Sequence, residues 1–382
     1  MSELSAQAVQ ARIGRIARVR ERMAQLGVDA LLLSHGADLP WLTGYQAMPL
    51  ERLTLLVLPI EGEPVLVVPG LEAPRVAAAP EVFEILPWSD GDDPVAVVTH
   101  RLTGRRAPST LAISDRTWAT SLLALQTQLP GASWLPASTV TSPVRAIKDA
   151  AELDALRAAA AAADRVAGAL LGGEIGLVGR READVSAELG ARLVAEGHRH
   201  VNFAIVGSGP NAASPHHEAG DRVIGVGETV VCDFGGTLSL DGEVGYCSDI
   251  TRTVVTGEPT AEMVESYEVL QAAQQAAVRS AASGVPAEAV DAVARDLITD
   301  AGYGHLFVHR TGHGIGIEEH EDPYLVSGNA DLLRPGHAFS VEPGIYHSGR
   351  FGMRLEDIVI IDERGGSDPL NRADHALTVV EA

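Results

Sequence analysis

Carboxylates placed within apolar stretches are the feature that most constrains the fold of this chain. A buried carboxylate is costly unless a cation or several hydrogen-bond donors lie beside it. Five residues of metal-ligand type occupy such contexts in the C-terminal half: Asp233, Asp249, His313, Glu342 and Glu356. Four negative charges in one place repel strongly, so this set requires about four positive charges among them, as two divalent ions would supply. We therefore predict a fold that gathers these residues into a two-metal site, and our first hypothesis is a two-metal hydrolase.

The two aspartates lie on segments that are predicted to form neighbouring strands. Residues 229–234 are a buried, apolar run, and residues 248–255 are an alternating run rich in β-branched side chains. Between them, Asp241-Gly242 is a strong signal for a hairpin turn. Position 241 is midway between positions 233 and 249, so pairing across this turn predicts that the aspartates face each other. Facing Cβ atoms lie roughly 4.5–5.5 Å apart, within reach of shared ions, although one β-bulge would change the register.

The other two carboxylates lie in segments of the same kind. Residues 338–344 read as a strand that runs into a turn at Glu342. Residues 352–361 read as one strand with Glu356 and Asp357 at its start. A single carboxylate at a strand end usually faces solvent, but its apolar neighbours and the company of the other ligands favour a metal site here.

A glycine-rich segment, residues 308–321, contains three histidines. His309 and His313 are four positions apart, which on a helix would place both on one face, but the three glycines from 312 to 316 favour an extended, closely packed segment. We interpret one histidine as a metal ligand and expect the others to donate hydrogen bonds or shuttle protons near neutral pH.

At this point the motifs resemble those of a known family, the pita-bread metallopeptidases. Within it, the chain is similar to the Xaa-Pro dipeptidases (prolidases) and Xaa-Pro aminopeptidases. The matching segments are residues 233–236, 248–253, 309–320, 341–346 and 354–357. The resemblance covers nearly the whole chain and implies an α/β (α+β) fold, in which a pita-bread catalytic domain at 144–382 follows a smaller creatinase-type α/β domain at 1–143.

The resemblance assigns a role to each of the five ligands. It implies that Asp249 and Glu356 bridge both ions, that Asp233 binds one ion, and that His313 and Glu342 bind the other. One departure is the interval of sixteen positions between the two aspartates, which is longer than usual in the family and indicates a longer hairpin. Mn²⁺ suits an oxygen-rich set best, and Co²⁺ or Zn²⁺ could also occupy it.

The resemblance further implies catalytic and substrate-binding residues. The catalytic set comprises His216, His309, His320 and Glu342. The predicted substrate-binding set comprises Tyr346, Arg350, Arg354 and Asp38, of which Arg350 is included for its position between Glu342 and Glu356. In this interpretation the histidines contact the scissile carbonyl or line the pocket, and Glu342 accepts the proton of the nucleophile. Tyr346 and Arg354 match a network around the ligands of the aminopeptidases, and Arg350 is either a cation for a C-terminal carboxylate or an exposed loop arginine.

The implied substrate is a small peptide with proline at its second position. Asp38 resembles part of a segment that approaches a partner subunit in related enzymes, which suggests a homodimer. Two alternatives are a catalytically silent peptide-binding homologue on the same fold and a creatinase-like amidinohydrolase that works without metal. Both typically lack ligands, and all five are present here.

Composition excludes several other classes of protein. A net charge of −22 argues against binding to nucleic acids and to anionic membrane surfaces. Cys232 and Cys247 point to opposite strand faces in the predicted hairpin, so we expect no disulfide. The sequence contains no apolar run of membrane-spanning length and no secretory signal pattern, so we expect a cytoplasmic enzyme.

The remaining patterns predict the secondary structure around the site. Residues 13–26 have helical spacing, and strands are expected at 29–34, 53–58 and 65–68, with a join near 141–143. Further helices are expected at 151–171, 182–196 and 261–283. Asp149 and Glu152 form a capping-box pattern before the first of these. The Gly-rich residues 206–210 lack the Lys-Ser/Thr ending of a phosphate-binding loop.

Overall fold

The structure is a computed structural model, and it describes residues 6–103, 107–240 and 243–380. The described residues form two compact units that divide between Arg145 and Ala146. Residues 141–143, where the join was expected, lie inside the last helix of the N-terminal unit. The expected turn Asp241-Gly242 lies outside the described residues.

The described part of the N-terminal unit contains one six-stranded sheet and five α-helices. The strands are β1 (Ala30–Leu33), β2 (Leu55–Pro59), β3 (Val65–Pro69), β4 (Glu84–Trp88), β5 (Thr110–Ile113) and β6 (Ser133–Pro136), in the spatial order β4-β3-β2-β1-β5-β6. The helices are α1 (Ala6–Leu26), α2 (Asp38–Thr43), α3 (Pro94–Thr103), α4 (Ala119–Gln128) and α5 (Ser138–Arg145). The first helix and the first three strands confirm the predictions for this region. All four residues of β1 are buried, because the strand is central and pairs with β2 on one side and β5 on the other.

The described part of the C-terminal unit contains four helices and three sheets. The helices are α6 (Ala150–Leu171), α7 (Glu182–Ala195), α8 (Ala261–Ser280) and α9 (Ala287–Asp300). The strands are β7 (His198–Ser208), β8 (Thr229–Leu238), β9 (Tyr246–Cys247), β10 (Ile250–Thr256), β11 (Gly312–Gly314), β12 (Glu321–Leu325), β13 (Ala338–Val341), β14 (Gly344–His347), β15 (Phe351–Arg354), β16 (Asp357–Ile361), β17 (Ser367–Pro369) and β18 (Thr378–Val380). The sheets have the orders β18-β10-β8-β7 with β9 beside β8, β12-β11-β13-β16-β17, and β14-β15.

The three helices expected in this unit are confirmed. The second and third end one and three residues earlier than predicted, at Ala195 and Ser280. The first begins with the predicted capping box: the Asp149 side chain accepts a hydrogen bond of 3.0 Å from the Glu152 amide, and the Glu152 carboxylate accepts one of 2.8 Å from the Asp149 amide. This arrangement satisfies backbone N–H groups that would otherwise lack partners.

Helix packing decides which faces of the sheets carry polar groups. Helices α6 and α7 pack on β7, β8 and β10, where Cys232 and Phe234 belong to the apolar core. Because neighbouring strand residues point to opposite faces, Asp233 lies on the face turned away from these helices. Helices α8 and α9 cover the other large sheet in the same way, burying Phe339 and Val341. The polar residues of the site therefore lie on sheet faces that the helices leave uncovered.

The register between the two aspartate strands differs from the prediction. Asp233 pairs with Thr251, not with Asp249, and Thr237 pairs with Cys247, so the ladder is displaced by two residues. A displacement of two keeps every side chain on its expected face. Gly235 lies between these pairs, and a Cβ added there would collide with the backbone oxygen of Ser248. Both cysteines are free and buried, as expected.

The predicted single strand at 352–361 is wrong, because it is two strands. β15 ends at Arg354 and pairs with β14, whereas β16 begins at Asp357 and pairs with β13. The break at residues 355–356 places Glu356 between two sheets. None of the helices in the described part of the chain has both the length and the apolarity needed to cross a membrane.

Candidate metal centre

A cavity of about 520 Å³ in the C-terminal unit collects most of the residues singled out by the sequence. The predicted ligands and catalytic histidines that line it are Asp233, Asp249, His313, Glu342, Glu356, His216, His309 and His320. Its remaining wall is formed by Phe203, Ile205, Pro215, Arg310, Glu319 and Arg354. The fold thus joins segments that are more than one hundred residues apart in the sequence.

Three of the predicted ligands form the tightest cluster. Asp249, His313 and Glu356 are buried, and one ligand atom from each lies within 4.8 Å of the others. His313 Nε2 lies 3.8 Å from Asp249 Oδ2 and 3.1 Å from Glu342 Oε1. Each carboxylate comes from a different structural context, since Asp249 lies between β9 and β10 whereas Glu356 lies in the break before β16.

Three carboxylate oxygens in this cavity lack hydrogen-bond partners. They are Asp233 Oδ1, Asp249 Oδ1 and Glu356 Oε1, all buried, and no described residue donates to any of them. Burial, followed by repulsion from Glu356 and Asp233, raises the pKa of Asp249 well above its usual value. Burial and repulsion from neighbouring carboxylates also raise the pKa of Glu356. Because a buried anion without donors is strongly unfavourable, this donor set fits bound divalent cations.

Backbone contacts orient the imidazole of His313 toward the carboxylates. Nδ1 lies 3.1 Å from the carbonyl oxygen of Gly314, an acceptor, so Nδ1 carries the proton. Nε2 then points its lone pair at the carboxylate cluster, which is the arrangement of a metal-ligating histidine. Gly312 permits this packing, because a Cβ at that position would collide with the Ser340 carbonyl.

Glu342 is the predicted carboxylate ligand with no oxygen among the buried, partnerless atoms of the described residues. Its Oε1 accepts a hydrogen bond of 3.1 Å from the Ser340 hydroxyl and lies 3.1 Å from His313 Nε2. Burial raises the pKa of Glu342, but His313, followed by His309 and Arg354, outweighs that effect and lowers the pKa to about 2. This carboxylate is therefore ionised at neutral pH.

Arg354 lines the cavity, but its guanidinium is hydrogen-bonded to other protein groups. Its guanidinium donates to Asp233 Oδ2 at 2.6 Å, to the Tyr346 hydroxyl at 2.9 Å and to the Thr251 hydroxyl at 3.1 Å. The Thr251 hydroxyl in turn donates to Glu356 Oε2 at 2.7 Å. Arg354 thus supports two of the predicted ligands, and its contacts are those of a ligand-positioning group.

The tyrosine of this network also fixes His309. The Tyr346 hydroxyl lies 2.9 Å from His309 Nε2, and His309 Nδ1 lies 2.7 Å from the carbonyl oxygen of Arg310. The carbonyl is an acceptor, so Nδ1 carries the proton and Nε2 accepts from Tyr346. Burial lowers the pKa of His309, which keeps the ring neutral. Tyr346 is buried and is not among the lining residues, so it reaches the cavity only through His309 and Arg354.

The other two predicted catalytic histidines are more open. His320 lies with its ring centroid 4.1 Å from that of His313, and no described residue hydrogen-bonds to its ring. Partial desolvation, followed by the nearby His313 and Arg310, lowers the pKa of His320 to about 4. His216 follows Pro215, whose carbonyl accepts a hydrogen bond of 3.2 Å from Arg354.

A buried glutamate anchors the loop that carries His216. Glu182 on α7 accepts hydrogen bonds from the amide and hydroxyl of Ser208 and from Asn211. His217 Nε2 lies 2.7 Å from the same carboxylate. The loop is therefore tied to α7 at both of its ends.

Two of the predicted substrate-binding residues are not brought to the cavity. Arg350 is exposed at the turn between β14 and β15, where it forms an ion pair with Glu262 of α8. Its alternative interpretation, an exposed loop arginine, matches this position. Asp38 belongs to the N-terminal unit, where its carboxylate accepts hydrogen bonds from Arg145 at 2.6 Å and Thr141 at 2.9 Å.

The cavity also contains groups that the sequence analysis did not single out. Arg310 and Glu319 line its wall, and Thr251 and Ser340 hydrogen-bond to predicted ligands. The sequence does contain one signal for Arg310, its position directly after His309. A cation within the histidine-rich segment is expected to reach the cavity as the histidines do. Nothing in the sequence distinguishes Thr251 or Ser340 from other strand residues.

A carboxylate and imidazole cluster held on helix-backed sheets, in a unit that follows a smaller α/β unit in the sequence, is the architecture of a two-domain metallohydrolase. Residues 154–363 match metallopeptidase family M24, and residues 15–147 match the creatinase/prolidase N-terminal domain. The chain therefore belongs to metallopeptidase family M24. The expected pita-bread and creatinase-type fold is confirmed.

Proteins with similar sequences match nearly the whole length of this chain. A probable dipeptidase PepE of Mycobacterium tuberculosis is 46% identical over 369 residues, which are 96% of either chain. An Xaa-Pro dipeptidase of Lactobacillus delbrueckii subsp. lactis is 34% identical over 91% of this chain and 94% of its own. The crystal structure of dipeptidase PepE from Mycobacterium ulcerans superposes with a TM-score of 0.91 at 43% identity, covering 100% of both chains.

Proposed function

We propose that this metallopeptidase uses two divalent metal ions to hydrolyse the bond before proline, in Xaa-Pro dipeptides or at the N-terminus of short peptides. One observation carries the metal requirement: three buried carboxylate oxygens that have no donor among the described residues line one cavity with His313. The names of the relatives, dipeptidase and Xaa-Pro dipeptidase, support the substrate class.

The proposed ligand roles are those that the family resemblance implies. In this proposal Asp249 and Glu356 would be shared by both ions, Asp233 would bind one of them, and His313 and Glu342 would bind the other. Mn²⁺ is the proposed metal, because four carboxylates and one imidazole favour a hard ion. When bound, the ions supply a hydroxide nucleophile near neutral pH and positive charge for the developing oxyanion.

The protein groups around that site carry the proton transfers and the orientation of the substrate. Glu342, which is ionised, accepts the proton of the nucleophile. His320 is neutral at pH 7 and has no protein partner among the described residues, so one ring N–H is available to the scissile carbonyl. His309 is held by Tyr346 and orients the substrate from the same segment, and His216 lines the pocket from the loop anchored by Glu182.

Two further parts of the proposal concern context. A homodimer, in which Asp38 contributes to a partner's site, and a cytoplasmic location stay predictions.

Within the C-terminal unit, Asp233 and Glu356 are supported by one arginine, Arg354, so loss of that arginine would disturb two of the proposed ligands together.

The test is hydrolysis of Ala-Pro, Ala-Pro-Ala and Ala-Ala by metal-stripped protein, with and without added Mn²⁺, followed by release of free amino acids. We expect metal-dependent cleavage of Ala-Pro and little cleavage of Ala-Ala. Cleavage of Ala-Ala at an equal rate would contradict the proline preference. Absence of any cleavage by protein that has bound two ions would refute the proposed function.

The role of His320 has its own test. His320→Ala removes a group that acts on the substrate, so we expect kcat to fall about 10²–10⁴-fold with the metal content unchanged. His305→Ala is the matched control, because His305 is exposed on the turn Gly304–Leu306 and does not line the cavity. Loss of metal from His320→Ala would show that this histidine is a ligand.

A further inference from the structure

Two arginines line the cavity, and their surroundings differ. Arg354 is buried and contacts Asp233, as described above. Arg310 is partly exposed, and within the described residues its guanidinium has neither an ion-pair partner nor a hydrogen-bond acceptor. It lies over the ring of Tyr324, with its central carbon 4.5 Å from the ring centroid. Stacking uses the face of the guanidinium and leaves its N–H edge available.

The backbone that carries Arg310 is held in place by α9. Arg295 donates to the carbonyl oxygen of His309 at 2.8 Å. Asp291 accepts hydrogen bonds from the amide and the hydroxyl of Thr311, at 3.0 and 2.8 Å. Because the backbone on both sides of Arg310 is held in place, the side chain loses less conformational entropy when it binds a ligand.

The charges around Arg310 require a cation at this wall if an anionic group is to enter. The cavity contains five carboxylates, the four predicted ligands and Glu319. Two divalent ions would balance the negative charges of four of these carboxylates. Arg354 pairs with Asp233. Arg310 is then the cation left to attract an anion, and it lies close enough to His320 to act on it electrostatically.

We propose that Arg310 binds the free carboxylate of a dipeptide substrate and so selects dipeptides over longer peptides. This inference rests on the proposed function. In a dipeptide the carboxylate belongs to the residue directly after the scissile bond, and successive Cα atoms are only ~3.8 Å apart. The anion must therefore bind close to His320, whose ring N–H is available to the scissile carbonyl, and Arg310 lines the same cavity near that histidine. A guanidinium matches a carboxylate with two parallel hydrogen bonds, which an amide or a peptide bond cannot form equally well.

The experiment compares kcat/KM for Ala-Pro and its amide, Ala-Pro-NH2, in the wild type, Arg310→Gln and Arg310→Lys. A hydrogen-bonded charge pair is worth about 10–100-fold, so we expect Arg310→Gln to lose that factor on Ala-Pro. The kcat/KM of Arg310→Gln for the amide should be nearly that of the wild type. The kcat/KM of Arg310→Lys for Ala-Pro should lie between those of the wild type and Arg310→Gln. The matched control is Arg350→Gln, which removes an exposed arginine outside the cavity. Equal losses on both substrates would overturn the proposal, because they would mean that Arg310 only supports the histidine segment.

A binding measurement separates this inference from the proposed function. L-Proline and L-prolinamide are titrated calorimetrically into Mn²⁺-loaded wild type and Arg310→Gln. We expect the wild type to bind L-proline more tightly and Arg310→Gln to lose that preference. If neither peptide is hydrolysed, the proposed function fails while this readout still decides the role of Arg310. A wild type without preference for the carboxylate form, including one that binds neither compound, would overturn the inference.

Discussion

Two adjacent carboxylates, Glu356 and Asp357, lie in regions with opposite chemistry. Glu356 belongs to the cavity cluster, which we define as Asp233, Asp249 and Glu356, and its Oε1 has no donor among the described residues. Asp357 belongs to what we call the Asp357 network, formed with Arg252, Gln274 and His375. Its oxygens lie 2.8 Å from Arg252, 2.9 Å from Gln274 and 2.8 Å from His375.

The pKa values of the two side chains follow these surroundings. Both are buried, and burial alone raises the pKa of each. Repulsion in the cavity cluster raises the pKa of Glu356 further, whereas His375 and Arg252 lower the pKa of Asp357 below its ordinary value. Burial therefore does not distinguish a structural carboxylate from a proposed metal ligand, whereas a buried carboxylate oxygen with no donor among the described residues does.

The largest effect is expected when the charge of the cavity cluster is removed. In Glu356→Gln we expect kcat/KM to fall by at least ~10³-fold, because a bridging ligand supports several kcal/mol of transition-state stabilisation. Metal content, measured by elemental analysis, should fall as well. The metal-stripped variant should unfold at no lower denaturant concentration than the wild type, since the change removes an unpaired buried charge. Full activity with two bound ions would refute the bridging role.

The matching change in the Asp357 network should act on stability instead. Asp357→Asn leaves the Arg252 guanidinium buried without its counter-ion, and breaking such a pair costs about 3–5 kcal/mol. We expect that loss in the unfolding free energy from urea titration, with normal metal content per folded molecule. If Asp357→Asn instead lost metal and kept the stability of the wild type, the proposed difference between the two regions would be contradicted.

A smaller effect is expected at the link between the cavity and its support. Tyr346→Phe removes the hydroxyl that joins Arg354 to His309 and keeps the ring. We expect kcat to fall about 10-fold, equivalent to ~1.4 kcal/mol, with metal content unchanged. Tyr303→Phe is the control, because the Tyr303 ring contacts His347 and, among the described residues, has no hydrogen bond to Arg354 or His309. An unchanged kcat would mean that His309 does not depend on Tyr346 for its orientation.

The smallest expected effect is a pH dependence of opposite sign in the two regions, measured by unfolding of metal-stripped protein. The folded-state pKa of Glu356 is raised, so its contribution to stability is present below about pH 4.3 and is lost as the pH rises through the folded pKa. The folded-state pKa of Asp357 is lowered, so its contribution is present above about pH 3.9 and is lost as the pH falls. The advantage of Glu356→Gln over the wild type should therefore grow with pH. A constant difference would contradict the raised pKa.

The sequence predicted much of the fold where local signals agree with the tertiary structure. The capping box of α6, the helix α7 and the strand β1 were found, because their patterns match their final environment. Two predictions failed for the same physical reason. The register of Asp249 depends on how the backbone at Gly235 packs against Ser248, and the break at 355–356 depends on which sheets its two halves join. Both are set by contacts between segments and not by the pattern within one segment.

The residue types and their neighbours were enough to identify the chemistry of the site. Four carboxylates and a histidine lie in apolar contexts that require cations, and the glycines around His313 allow close packing. The pairing of polar groups became known only from the folded chain. Its contacts join Arg354 to Asp233, pair Arg350 with Glu262, and place Arg310 on the cavity wall with no acidic partner among the described residues. The physical reason is that the charge of a side chain is a property of its residue, whereas its partner is set by contacts between segments far apart in the chain.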